Sequence, residues 1–104
     1  MKQFQTIEMT VVVPTLNESD NIGRLIDQIL AVDESLNVIV VDDGSRDGTD
    51  KIVLERAESE RQKGRARVHL IERGRKMGYA SAVQDGMRLA MKHGATLILQ
   101  MDAD

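Results

Sequence analysis

The chain has 104 residues, with 14 basic against 17 acidic side chains, no cysteine, one proline and two aromatic residues, Phe4 and Tyr79. That length builds one small domain, and 41% apolar with 30% charged residues is an ordinary globular composition. A net charge of −3 and two aromatics argue against nucleic-acid binding; the missing cysteine excludes a disulfide scaffold, a thiolate metal site and a cysteine nucleophile and fits a reducing, cytoplasmic compartment, while the apolar runs fall far short of the ~20 residues of a membrane helix.

Met9 to Val13 is a short β-branched run stopped by Pro14, and reads as a buried first strand. After Thr15 to Glu18, apolar residues recur at Ile22, Leu25, Ile26, Ile29 and Leu30, the stripe of an amphipathic helix over about Asp20 to Val32 with Ser19 as its N-cap. Asn37 to Val41 is a second continuous apolar run, followed by Asp42, Asp43 and the turn Gly44-Ser45-Arg46-Asp47-Gly48. Thr49 is expected to cap a second helix that turns Ile52, Val53 and Ala57 inward and dissolves in the charged stretch Glu58 to Lys63. A third strand is expected from about Arg67 to Glu72. The loop Arg73 to Gly78 then leads to a third helix, with Val83, Met87, Ala90 and Met91 at helical spacing and Gly94 as its stop. Ala95 to Met101 reads as a fourth strand.

Four strands alternating with three helices predict α/β architecture, a Rossmann-like parallel sheet with right-handed crossovers. Continuous apolar strands predict that both sheet faces are covered. The methionines read as core filler, and His69 and His93 as structural. The sequence stops at Asp104 directly after an apolar run, so the chain is expected to be a segment of a larger domain, with an exposed sheet edge through which it self-associates.

Ligands of such sheets bind beyond the carboxyl ends of the strands. There the sequence places Pro14, Thr15, Leu16, Asn17 and Glu18 after strand 1, Asp42 and Asp43 after strand 2, Arg73, Arg75 and Lys76 after strand 3, and Asp102 and Asp104 after strand 4. Crowded carboxylates raise one another's pKa unless cations or donors compensate. Asp102 and Asp104, two apart in an extended segment, point to one side, a hard oxygen pair suited to Mg²⁺ or Mn²⁺; the alternative is two solvated aspartates. Asp42 and Asp43 either accept hydrogen bonds from a base or ribose or initiate the turn. Arg73, Arg75 and Lys76 precede a helix N-terminus, where phosphate contact and a solvated basic surface both fit; for Arg61, Lys63, Arg65 and Arg67 the solvated surface is expected. No G-x-G-x-x-G follows strand 1, and no Walker-type motif occurs.

Taken together, Val11-Val12-Val13-Pro14-Thr15-Leu16-Asn17-Glu18, Val40-Val41-Asp42-Asp43-Gly44-Ser45-Arg46-Asp47-Gly48-Thr49, Gly78-Tyr79-Ala80-Ser81-Ala82 with Gly86, and Met101-Asp102-Ala103-Asp104 resemble the successive motifs of family 2 glycosyltransferases with the GT-A fold. Arg75-Lys76-Met77-Gly78 and Gln84-Asp85-Gly86-Met87 resemble most the dolichol-phosphate mannosyltransferase, or polyprenyl-phosphate glycosyltransferase, group. The resemblance implies a nucleotide-sugar donor such as GDP-mannose or UDP-glucose and a polyprenyl-phosphate or sugar acceptor, bound through a part beyond Asp104. It also implies an enzyme at the cytoplasmic face of a membrane. Pro14, Leu16 and Glu18 would line the base and ribose pocket, Asp43 would contact the base, and Asp42 would shape the turn. Arg73 and Lys76 would face the phosphates. Asp102 and Asp104 would carry the catalytic divalent cation, Mg²⁺ or Mn²⁺. Leu16 stands where an aromatic is common in the family, and Ala80 where glycine is. By this reading the chain is the donor-binding segment of an inverting transferase, inactive alone; the alternative is a non-catalytic α/β module whose rim carboxylates bind a metal ion or a protein partner.

Overall fold

The computed structural model describes residues 8–103. Its elements alternate without exception: β1 (Met9–Thr15), α1 (Ile22–Val32), β2 (Leu36–Asp42), α2 (Thr49–Gln62), β3 (Val68–Glu72), α3 (Tyr79–Lys92) and β4 (Leu97–Gln100). The four strands form one parallel sheet in the order β3-β2-β1-β4. The first two crossovers step one way across the sheet and the third steps back past β1. Right-handed connection then requires α3 to lie on the opposite face from α1 and α2.

The core is accordingly split in two. Val11 and Val13 of β1 join Ile22, Ile26 and Ile29 of α1, Val38 and Val40 of β2, and Val53 of α2 on one face. Val12, Ile39 and Val41 meet Ala82 and Ala90 of α3 on the other. The strand alternation sends successive β1 and β2 residues to opposite cores.

Several local expectations change. β1 runs through Pro14 to Thr15 instead of stopping at the proline, with Pro14 opposite Val41. Val12 accepts from the Met101 amide on the β4 side, whereas Thr15 accepts from Asp43 on the β2 side. Pro14 shares the parity of Val12, so its missing N–H falls where β4 has already ended. Helix α1 starts at Ile22, and its cap position is Asn21, not Ser19. Thr49 does not cap α2 but opens it after Gly48, which takes a left-handed φ of 91°. It is Asp47 whose carboxylate accepts the Thr49 amide, at 3.1 Å. Helix α2 continues through Glu58 to Gln62.

On α3 the buried positions are Ala82, Gly86 and Ala90, while Met87 and Met91 face outward. Small residues win that face because the helix sits directly on Val12 and Val41. The methionines are not core filler in general: Met77, Met87, Met91 and Met101 are all exposed. Nor are both faces of the whole sheet covered. Leu97 and Leu99 of the edge strand β4 remain 44% and 45% exposed, beside Met9 and Val11. Among the described residues no helix is long and apolar enough to cross a membrane.

Arg67 is not on the solvated surface expected of it. It is buried, donating from Nε to the Leu36 carbonyl at 2.9 Å and from Nη2 to the carbonyls of Leu30 and Asp33. A cation there satisfies carbonyls at the end of α1 and complements its negative pole.

Candidate functional site

Strand order reverses between β1 and β4, and in open parallel sheets the crevice beyond the carboxyl ends at that switch point is where ligands settle. A cavity of about 290 Å³ opens there, lined by Pro14, Thr15, Leu16, Glu18, Asp43, Lys76, Tyr79, Ala82, Asp102 and Ala103.

The two loops that follow β1 and β2 are stitched together. The β1–α1 loop turns at Asn17, whose φ of 55° is left-handed. Its amide donates to Ser45 Oγ at 2.7 Å and its Oδ1 accepts from the Arg46 amide at 2.8 Å. Alongside, the Ser19 amide donates to Asp47 at 3.0 Å and the Glu18 amide to Thr49 Oγ1 at 3.0 Å. Short polar side chains here replace the ladder that ended with the strands. The Thr49 hydroxyl first, and then the Ser19 amide, hold the Asp47 carboxyl well below the usual carboxylate range against the opposing effect of burial.

The adjacent aspartates divide their work. Asp42 turns inward and accepts from Thr15 Oγ1 at 2.8 Å and from the Ser45 amide at 2.9 Å, so it shapes the turn. Asp43 turns to the cavity. Its Oδ1 accepts the Met77 amide at 2.9 Å and its Oδ2 the Gly78 amide at 3.0 Å, which ties the end of β2 to the start of α3. Gly44 is required between these loops: a Cβ on it would lie 3.1 Å from the Arg75 backbone, at a φ of 94°.

The three cations after β3 also part company. Lys76 lines the cavity and Arg75 is exposed. The Arg73 side chain is 2% exposed, faces Asp43 and Asp85, and is not among the residues that line the cavity. Near this rim the carboxyl of Glu72 is pushed up, first by the hydrogen bond it donates to Asp50 and then by burial, with repulsion from Asp50 and Asp42 adding.

Asp102 stands at the cavity mouth, exposed. Its Oδ1 accepts from Tyr79 Oη at 2.6 Å and from Gln100 Nε2 at 2.9 Å. Thr15, expected on the rim, lines the cavity, and so do Tyr79, Ala82 and Ala103, to which the sequence assigned no role; Tyr79 carried a signal, as an aromatic directly after Gly78 at a helix start. Asp104 lies outside the described residues, so of the expected metal-binding pair only Asp102 is placed. No trio of histidine and carboxylate side chains close enough to hold a metal ion occurs among the described residues. The donors that do face the cavity, Asp43, Glu18 and Asp102, are hard oxygens, which suit Mg²⁺ or Mn²⁺ over softer ions.

The model of the family described as "Glycosyl transferase family 2" matches residues 10–104. The polyprenol monophosphomannose synthase of Mycolicibacterium smegmatis is 32% identical over 94 residues, covering 90% of this chain and 34% of that protein. The undecaprenyl-phosphate mannosyltransferase of Micrococcus luteus is 35% identical over 102 residues, covering 94% and 38%. Among solved structures, a mannosyltransferase from Pyrobaculum calidifontis in complex with GDP-Man and Mn²⁺ superposes with a TM-score of 0.73 at 32% identity, covering 93% of this chain and 27% of that one. The chain thus spans about a third of the length of the relatives it matches.

Proposed function

The chain belongs to glycosyl transferase family 2, and from that premise we propose that its cavity takes the nucleoside-diphosphate portion of a sugar donor such as GDP-mannose or UDP-glucose. The observation that carries the reading is Asp43: a buried carboxylate held by two backbone amides at the wall of a cavity whose mouth carries Asp102. Each oxygen of Asp43 keeps lone-pair capacity for an N–H of a base. Pro14 and Leu16 supply apolar walls, Glu18 accepts from ribose hydroxyls, and Lys76 faces the phosphates.

Asp102, with Asp104, would hold Mg²⁺ or Mn²⁺. Once bound, the cation stabilises the negative charge that develops on the departing diphosphate. In the proposed transfer an acceptor phosphate oxygen bonds to the anomeric carbon from the face opposite the nucleoside diphosphate. The bond to the diphosphate breaks, its electron pair leaves on the phosphate oxygen, and configuration inverts. The acceptor, proposed to be a polyprenyl phosphate at a membrane surface in line with what the relatives act on, is already an anion, so no proton need be removed from it. Its binding surface belongs to the larger enzyme of which this chain is proposed to be the donor-binding segment.

Titration of the folded chain with GDP and with UDP, each with and without Mn²⁺, tests this. Saturable, Mn²⁺-dependent binding of one of them is expected. A folded sample that binds neither under either condition overturns the reading.

A further inference from the structure

Resting on the donor-site reading above, we propose that Arg73 is a positioning residue that sets base selectivity by fixing Asp43, and that it is not a phosphate contact. The side chain is 2% exposed and is absent from the cavity lining. Its Nε lies 3.5 Å from Asp43 Oδ1 and 3.6 Å from Asp85 Oδ2, while Nη2 donates to Ser81 Oγ. A phosphate in the cavity would meet Asp43, not the guanidinium behind it.

The arrangement is a strut. Asp43 immediately follows β2, Arg73 immediately follows β3, and Asp85 and Ser81 lie on α3. A guanidinium is a rigid planar fork, so two carboxylates near Nε and a hydroxyl accepting from Nη2 together set its plane. Through that plane the position of α3 is passed to the carboxylate that faces the ligand. Nε and Nη1 are buried without a hydrogen-bond partner, and the two carboxylates stand just beyond bonding range. An unsatisfied buried guanidinium is costly, and the charge of Asp43 and Asp85 is what offsets it. Arg73 therefore holds Asp43 directed, in the orientation from which its oxygens accept hydrogen bonds from a base.

The test is a mutant cycle read by nucleotide affinity in Mn²⁺ buffer, with GDP, UDP and inorganic pyrophosphate as the probes. Arg73→Lys keeps the charge but removes the fork. It should weaken the preferred nucleotide about tenfold and shrink the ratio between GDP and UDP, while pyrophosphate competes as it does against the unaltered chain. In an Asp43→Asn background the same change should cost nothing further, because the two residues act as one unit. Should Arg73→Lys fail to fold, Ser81→Ala withdraws a single hydrogen bond. It should weaken the preferred nucleotide about two- to threefold, again only while Asp43 is present. Penalties that multiply with Asp43→Asn, equal weakening of nucleotide and pyrophosphate, or an unchanged GDP to UDP ratio would each overturn the assignment and leave the donor site intact. An unaltered chain that binds no nucleotide removes the donor reading and this inference together.

Discussion

Gly86 rests so close on Val12 that a Cβ built on the glycine would lie 2.3 Å from Val12 Cγ1, with Val41 Cγ2 at 3.1 Å. This contact sets the distance between α3 and the sheet, and with it the place of Tyr79 and Ser81 at the front of the same helix. Gly86→Ala should therefore destabilise the fold although alanine favours a helix. Overpacking of this kind costs about 1–3 kcal/mol, against about 1 kcal/mol gained in helix propensity. A thermal melt that shows a raised midpoint would contradict the contact.

The loop stitching predicts acid sensitivity. Asp47 has a folded pKa below its unfolded value of 3.8. Its contribution is present above that value and is lost as pH falls beneath it. Asp47→Ala should lower stability by about 1 kcal/mol at neutral pH and flatten the acid limb of a stability profile below about pH 4. An unchanged acid limb would show that the Asp47 bonds to Ser19 and Thr49 do not form in solution.

A second pH effect sits at the opposite end of the sheet, where the rings of His69 and His93 stack with centroids 5.7 Å apart. Burial first, and then neighbouring His93, lower the pKa of His69 below 6.5. The unfolded chain then takes up the proton first, so stability falls as pH drops beneath about 6.5. The thermal midpoint should decline between pH 7.5 and 5.5, and His69→Gln should reduce that decline. Identical slopes for the two proteins would refute it.

Asp102→Asn should weaken the Mn²⁺-dependent part of nucleotide binding by about tenfold or more, since a neutral amide is a poor ligand for a hard cation. Tyr79→Phe, which removes a hydroxyl bonded to Asp102, should show a smaller loss in the same titration. Full Mn²⁺ dependence in the Asn variant would place the cation elsewhere.

The order of elements and the parallel sheet were legible in the chain, because strand and helix periodicities are local and each apolar run carries its own signal. So was the rim: connectivity alone sends Glu18, Asp43, Lys76 and Asp102 to the carboxyl ends of the strands. Residue type and spacing left open what each rim residue does there, and only the family resemblance assigned the turn to Asp42 and the base to Asp43. Asp42 and Asp43 are identical neighbours, yet one folds the turn and the other faces the cavity, since the amides that select Asp43 come from Met77 and Gly78, 34 and 35 residues away. Arg73 and Lys76 belong to one basic run, but only the packing of α3 decides that Arg73 is enclosed by Asp43 and Asp85 while Lys76 reaches the cavity. Arg67 likewise looked like surface until the end of α1 supplied carbonyls for it. Sequence by itself determined which residues gather at each end of the sheet, through local periodicity and chain connectivity. Tertiary structure alone decided which charge faces the cavity and which is buried as a support, because each charge takes its partner across elements distant in the chain.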